Sequence, residues 1–93
     1  MFGNGGNDGL RGNAGDDVIH GGEGADYLYG GSENDHMFGN AGNDTMYGGT
    51  GNDYMHCADG DDIAFGFDGN DTILGGPGVD ELYGQNDNDN VQG

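Results

Sequence analysis

Every ninth residue from Asp8 onward is an aspartate: Asp8, Asp17, Asp26, Asp35, Asp44, Asp53, Asp62, Asp71, Asp80 and Asp89, with no insertion or deletion between them. Two positions after each stands Leu10, Ile19, Leu28, Met37, Met46, Met55, Ala64, Ile73, Leu82 or Val91. Glycine opens nine of the ten units, Cys57 being the exception, and fills the fourth position in eight, with Glu33 and Asp87 as exceptions. The idealised unit reads Gly-Gly-x-Gly-x-Asp-x-U-x, U being apolar. Polar and apolar columns locked in one phase over the whole chain mark an array of small units that must stack.

A unit such as Gly48-Gly49-Thr50-Gly51-Asn52-Asp53 cannot be a helix, because each glycine costs about 1 kcal/mol against alanine there. It can be a tight turn, since glycine takes positive φ without steric cost and lets successive carbonyls point around one centre. Those carbonyls and the sixth-position carboxylate make an oxygen-only cage. Ca2+ suits such a cage, taking about 6 to 8 oxygens at roughly 2.3 to 2.6 Å, whereas Mg2+ prefers to keep its waters. The remaining three residues, such as Tyr54-Met55-His56, alternate outward, inward and outward as a short strand does. One inward side chain per unit buries nothing alone, so the units share a core.

These ten copies, from Gly3 to Gln92, resemble the RTX family of calcium-binding nonapeptide repeats. The resemblance implies an all-β fold, a right-handed parallel β-roll or β-solenoid with two nonapeptides per turn and about five turns. It also implies Ca2+ ions held between successive turns by the ten aspartates and by backbone carbonyls of the glycine-rich loops. Carried onto this chain, the aspartates sharing an ion lie eighteen residues apart. They are Asp8 with Asp26, Asp26 with Asp44, Asp44 with Asp62 and Asp62 with Asp80 on one side, and Asp17 with Asp35, Asp35 with Asp53, Asp53 with Asp71 and Asp71 with Asp89 on the other. Eight complete sites follow, with half-sites at both ends.

Charge supports that count. The formal net charge is -17, with Arg11 the one basic residue besides three histidines, and the chain is only 31% hydrophobic. Such a composition favours disorder unless something neutralises it. Eight Ca2+ add +16 and bring -17 to -1, which makes metal loading and compaction one event.

The 93 residues read as a single block of ten repeats. Five turns at about 4.8 Å make a stub roughly 24 Å tall. No stretch approaches the roughly 20 apolar residues of a membrane span, and no Sec-type leader precedes the array. The last residues do not resemble a type I secretion signal, and Met1-Phe2 stand in phase as the tail of an earlier unit. Both points suggest a block excised from a longer array. Nucleic acid is disfavoured for want of a basic surface. Catalysis is disfavoured as well: there is no lysine, one serine (Ser32), and no aspartate outside the ladder that pairs with a histidine.

Some residues break the pattern. Cys57 has no partner for an internal disulfide, which leaves a tolerated substitution or an intermolecular disulfide or labelling site. Glu33 and Asp87 strain their turns; Ala64, beside Cys57 and Ala58, makes unit seven the expected weak layer; Pro77 suits a turn. His20, His36 and His56 are expected to be surface residues. Arg11, Tyr29, Tyr47, Phe65 and Tyr83, with Tyr27 and Ile63, should stack on one outer face, either as cross-strand stabilisation or as a docking surface.

The function expected is a non-enzymatic, calcium-binding module that folds outside the cell and forms part of a secreted bacterial protein. The competing reading is a ligand-binding module that docks a polysaccharide or a partner domain through the aromatic face. Self-association, end to end or face to face, is a further expectation.

Overall fold

The nine-residue period becomes ten strands and no helix, described for residues 1–93 by a computed structural model. One sheet holds β1 (Gly9–Asn13), β3 (Tyr27–Gly31), β5 (Thr45–Gly49), β7 (Ile63–Phe67) and β9 (Glu81–Gln85). The other holds β2 (Val18–Glu23), β4 (His36–Ala41), β6 (Tyr54–Asp59), β8 (Thr72–Leu74) and β10 (Asn90–Gln92). The chain alternates between sheets, and neighbours within a sheet are parallel with a constant offset of eighteen residues, as in Leu10 with Leu28, Leu28 with Met46, Met46 with Ala64 and Ala64 with Leu82. Two units therefore make a turn, and ten make a five-turn parallel β-roll. The molecule measures 32 × 27 × 12 Å; its thin dimension is that of two sheets face to face, about 10 Å apart.

The strands are longer than the three residues expected. Eight of the ten run for five or six residues, because pairing continues into the first two positions of the next unit, as in Gly31 with Gly49 and Phe67 with Gln85. Strand alternation then sends both the eighth and the first positions inward. The eighth positions make the core: Ile19, Leu28, Met37, Met46, Met55, Ala64 and Ile73 are 0% exposed, and Leu10 and Leu82 pack partly against them at the ends. Cys57, the one first-position side chain, joins the same buried cluster and adds volume to the layer that Ala64 leaves thin. Its burial also withdraws it from labels and partner thiols in the folded chain. Each buried aliphatic side chain contributes about 1.5–3 kcal/mol, and so few of them cannot order 93 residues against conformational entropy.

The turns share one backbone pattern. Every second-position and every fourth-position residue has positive φ, whether glycine or not. Where glycine is present φ lies between 89° and 127°; where Asn4, Asn13, Glu33, Asn40, Ala58, Phe67, Gln85 or Asp87 stands instead, φ closes to between 71° and 80°. A Cβ confines an L-residue to the narrow left-handed region, whereas glycine ranges wider. Phe67, a bulky residue for that region, lays its ring against Tyr47 and Phe65, with centroids 6.0 Å away in each case.

Both outer faces carry ring columns. Tyr47, Phe65 and Tyr83 stack in succession at 5.3 and 5.0 Å with planes within 10° of parallel, and Arg11 lies over Tyr29 at 5.9 Å. On the other sheet His20 is sandwiched between Phe2 and Phe38 at 4.9 and 4.7 Å. Rings stacked this way stabilise neighbouring strands, while Tyr27, Tyr29 and Tyr83 stay exposed on the outer face.

Candidate metal centre

The ten sixth-position aspartates end each turn where the chain enters its next strand, so the roll gathers them into two files, one along each edge. Asp26, Asp35, Asp44, Asp53, Asp62 and Asp71 are at most 2% exposed. In every pair eighteen residues apart, the backbone N–H of the earlier aspartate donates to Oδ1 of the later one, at 2.8 to 3.0 Å. These are the eight pairs expected from the sequence. Each carboxylate is thereby pinned across a turn by one oxygen.

The other oxygen has nothing. Oδ2 of Asp8, Asp17, Asp26, Asp35, Asp44, Asp53, Asp62, Asp71 and Asp80 is buried and accepts no hydrogen bond; Asp89, on the last turn, is the exception. An ionised carboxylate held so costs several kcal/mol unless a cation or hydrogen-bond donor meets it. Arg11 is the chain's only Arg or Lys, so the counter-charge must come from outside.

The first-position glycines make room for that oxygen. A Cβ at any of the nine would lie within 2.8 Å of Oδ2 of its own unit's aspartate, and in the seven units with a further turn above them also within 2.9 Å of the first-position carbonyl oxygen one turn on. At Gly48 those atoms are Asp53 Oδ2 at 2.5 Å and Gly66 O at 2.9 Å. Each missing side chain thus leaves a cradle lined by a carboxylate oxygen and a carbonyl oxygen. No three carboxylate, imidazole or thiol groups converge anywhere, so a cation here draws most of its ligands from the backbone. Hard, oxygen-only donation with few carboxylates is what Ca2+ accepts and thiophilic metals do not prefer. The residues present fit Ca2+.

A second ladder escaped the reading of the sequence. Eight of the ten fifth-position residues are Asn or Asp, and seven of them accept a backbone N–H from the residue eighteen positions later, as Asn34 does from Asn52 at 2.7 Å and Asn52 from Asn70 at 2.8 Å. This outer ladder points toward the start of the chain and the aspartate ladder toward its end, so adjacent turns are tied in both directions. The signal was the Asn or Asp one place before eight of the ten aspartates.

Burial, reinforced by neighbouring aspartates, raises the carboxyls of Asp44 and Asp53 from 3.8 to about 7 and those of Asp62 and Asp71 to about 6. Asp35 is raised by the same causes. The hydrogen bond to Oδ1 opposes the shift without cancelling it. Between about pH 4 and 7 the folded chain therefore binds protons that the unfolded chain has released, and metal-free stability must fall as pH rises through that window. In EDTA, strand content measured by circular dichroism is expected to be highest near pH 4 and to decline toward pH 7, and the calcium midpoint is expected to rise on acidification below about pH 6. Strand content growing with pH in EDTA would contradict this. Burial foremost, then Asp62, Asp80 and Asp44, pushes the Cys57 thiol up to about 12.

The histidines line up on an outer face, His20 and His56 flanking Phe38, away from the aspartate files. The model of the RTX calcium-binding nonapeptide repeat matches in four copies within residues 2–37, 29–64 and 65–93. No curated protein and no solved structure matches. With the repeat, the stacked turns and the oxygen-lined cradles in agreement, the chain belongs to the RTX calcium-binding nonapeptide-repeat family.

Proposed function

We propose that this calcium-binding repeat module is a folding switch in a secreted protein: expanded where calcium is scarce, as inside a cell, and ordered where it is plentiful outside. The observation that carries the reading is the file of nine buried, unpartnered aspartate oxygens in a chain of net charge -17. Without cations these oxygens repel one another along the files; with cations each becomes a cross-link between turns. Asp8, Asp17, Asp26, Asp35, Asp44, Asp53, Asp62, Asp71, Asp80 and Asp89 supply the carboxylates, and first-position carbonyls such as Gly66 O supply neutral oxygens. The ion compensates charge and closes one turn on the next; the chain pins each carboxylate through Oδ1 and excludes side chains from the cradle. Eight levels follow from the eight aspartate pairs. Membership of a family found in secreted bacterial proteins supports the extracellular setting.

The test is circular dichroism of the chain in EDTA and in millimolar Ca2+ at neutral pH. A strand-poor spectrum in EDTA, converting cooperatively and reversibly to a β spectrum with Ca2+, is expected. A β spectrum that survives chelation would refute the switch.

A further inference from the structure

Seventeen of the eighteen carboxylates stand at third to sixth positions, toward the edges of the roll. Glu81 is the exception, at a seventh position on the outer face of β9. Arg11, the only Arg or Lys, stands at a ninth position on the outer face of β1. These two strands bound one sheet, in the order β1-β3-β5-β7-β9. Its broad face therefore carries a lone positive charge on one outermost strand and a lone negative charge on the other. Most of the rest is aromatic or apolar: Tyr27 is 63% exposed, Tyr29 45% and Tyr83 46%, with Tyr47, Ile63 and Phe65 half-buried among them. Beside Arg11 the face is hollowed, because Gly9 has no side chain next to Tyr27, and the hollow holds about 410 Å3. The seventh and ninth positions of the opposite sheet hold no Arg, Lys, Asp or Glu.

We propose that this face docks the same face of a second copy of the chain, related by a two-fold axis parallel to the strands. The reading rests on the calcium-loaded fold proposed above, since two metal-free chains of net charge -17 repel each other. That axis lays β1 on the partner's β9, β3 on the partner's β7 and β5 on its own counterpart. Seventh positions meet seventh positions, so the partner's Glu81 enters the hollow at Gly9, within reach of Arg11. The same contact repeats at the other end, as an isologous interface requires. Tyr27 then faces the partner's Ile63, and Tyr29 faces the partner's Phe65. A two-fold along the roll axis instead lays β1 on β1 and β9 on β9, which sets like charge near like charge. The broad face of the 32 × 27 × 12 Å slab matches the area, about 800 Å2 per partner, that a stable contact buries. Apolar burial supplies the affinity and the two ion pairs fix the orientation.

The experiment is analytical ultracentrifugation of the full chain in saturating Ca2+, with circular dichroism on the same samples. The parent should sediment as a dimer. Arg11→Glu and Glu81→Arg should each weaken dimerisation about tenfold or more while keeping the β spectrum, and combining the two should restore it. Arg11 and Glu81 lie on opposite edges of their sheet, so the rescue cannot arise within one chain. Three results would overturn the proposal: a folded parent that stays monomeric, which leaves the face to another occupant such as a neighbouring domain; single reversals that dimerise like the parent; or a double reversal without rescue. A parent that stays strand-poor in Ca2+ refutes the calcium reading, and this one falls with it.

Discussion

Gly48→Val is expected to remove a calcium level and break the roll in its middle, whereas Gly49→Asn, one residue on, is expected to leave both nearly intact. The two glycines differ in what they are for. Gly48 has ordinary φ, and its lack of a side chain keeps open the cradle formed by Asp53 Oδ2 and Gly66 O. Neither atom can withdraw, because Asp53 is held through Oδ1 by the Asp35 N–H at 2.9 Å and Gly66 belongs to β7. A branched side chain there takes the place of an ion between Asp53 and Asp71. Gly49 has φ 102°, where a Cβ would stand 2.1 Å from the Gly31 carbonyl oxygen, but Asn40 and Ala58 occupy the equivalent position at 78° and 80°, so an asparagine fits once its φ closes to theirs, at a cost of about 1–2 kcal/mol. Calcium titrations followed by circular dichroism should show Gly48→Val losing cooperativity and most of its β signal, with Gly49→Asn close to the parent. Equal damage from both would mean that the first-position glycines serve the turn and not the cradle.

Asp44→Asn should be far more harmful than Asp8→Asn. Asparagine keeps an Oδ1 able to accept the Asp26 N–H, a bond of 2.9 Å in the parent, so the backbone tie survives. What changes is the other arm, where an amide nitrogen replaces the unpartnered Oδ2 and turns N–H donors toward a cation. Asp44 pairs with both Asp26 and Asp62, while Asp8 pairs with Asp26 alone. The central substitution therefore spoils two adjacent levels and uncouples the turns on either side. Its calcium midpoint should rise roughly tenfold or more, equivalent to about 1.4 kcal/mol, with lower cooperativity; the terminal one should fray an end. In a nearest-neighbour array the middle carries two interfaces and the edge one.

Much of this arrangement was legible because a strict period leaves little freedom. The spacing of Asp8 to Asp89 gave the eighteen-residue register once two units were assigned to a turn, and the column from Leu10 to Val91 gave the core. The buried stretch from Ile19 to Ile73 follows the period, while the half-open ends at Leu10, Leu82 and Val91 follow from having no next turn to cover them. What stayed hidden lay where residue type disguises conformation. The second position is left-handed throughout, yet glycine fills it only at Gly22, Gly31, Gly49 and Gly76, so composition understated the requirement; Asn4, Asn13 and Asn40 were the clue, since asparagine tolerates that region. The asparagine ladder was overlooked because asparagine in a loop is usually a turn former. The burial of Cys57 stayed hidden for a geometric reason: a strand three residues long leaves the first position in the turn, whereas β6 runs on to Asp59 and points it into the core.

The central claim is that each ion is shared by two loops eighteen residues apart. Calorimetric calcium counts on the parent, Asp44→Asn and Asp8→Asn test it most directly. The shared-site account expects two ions lost from the central variant and one from the terminal variant. The same loss from both would show each loop holding its own ion and would contradict the account.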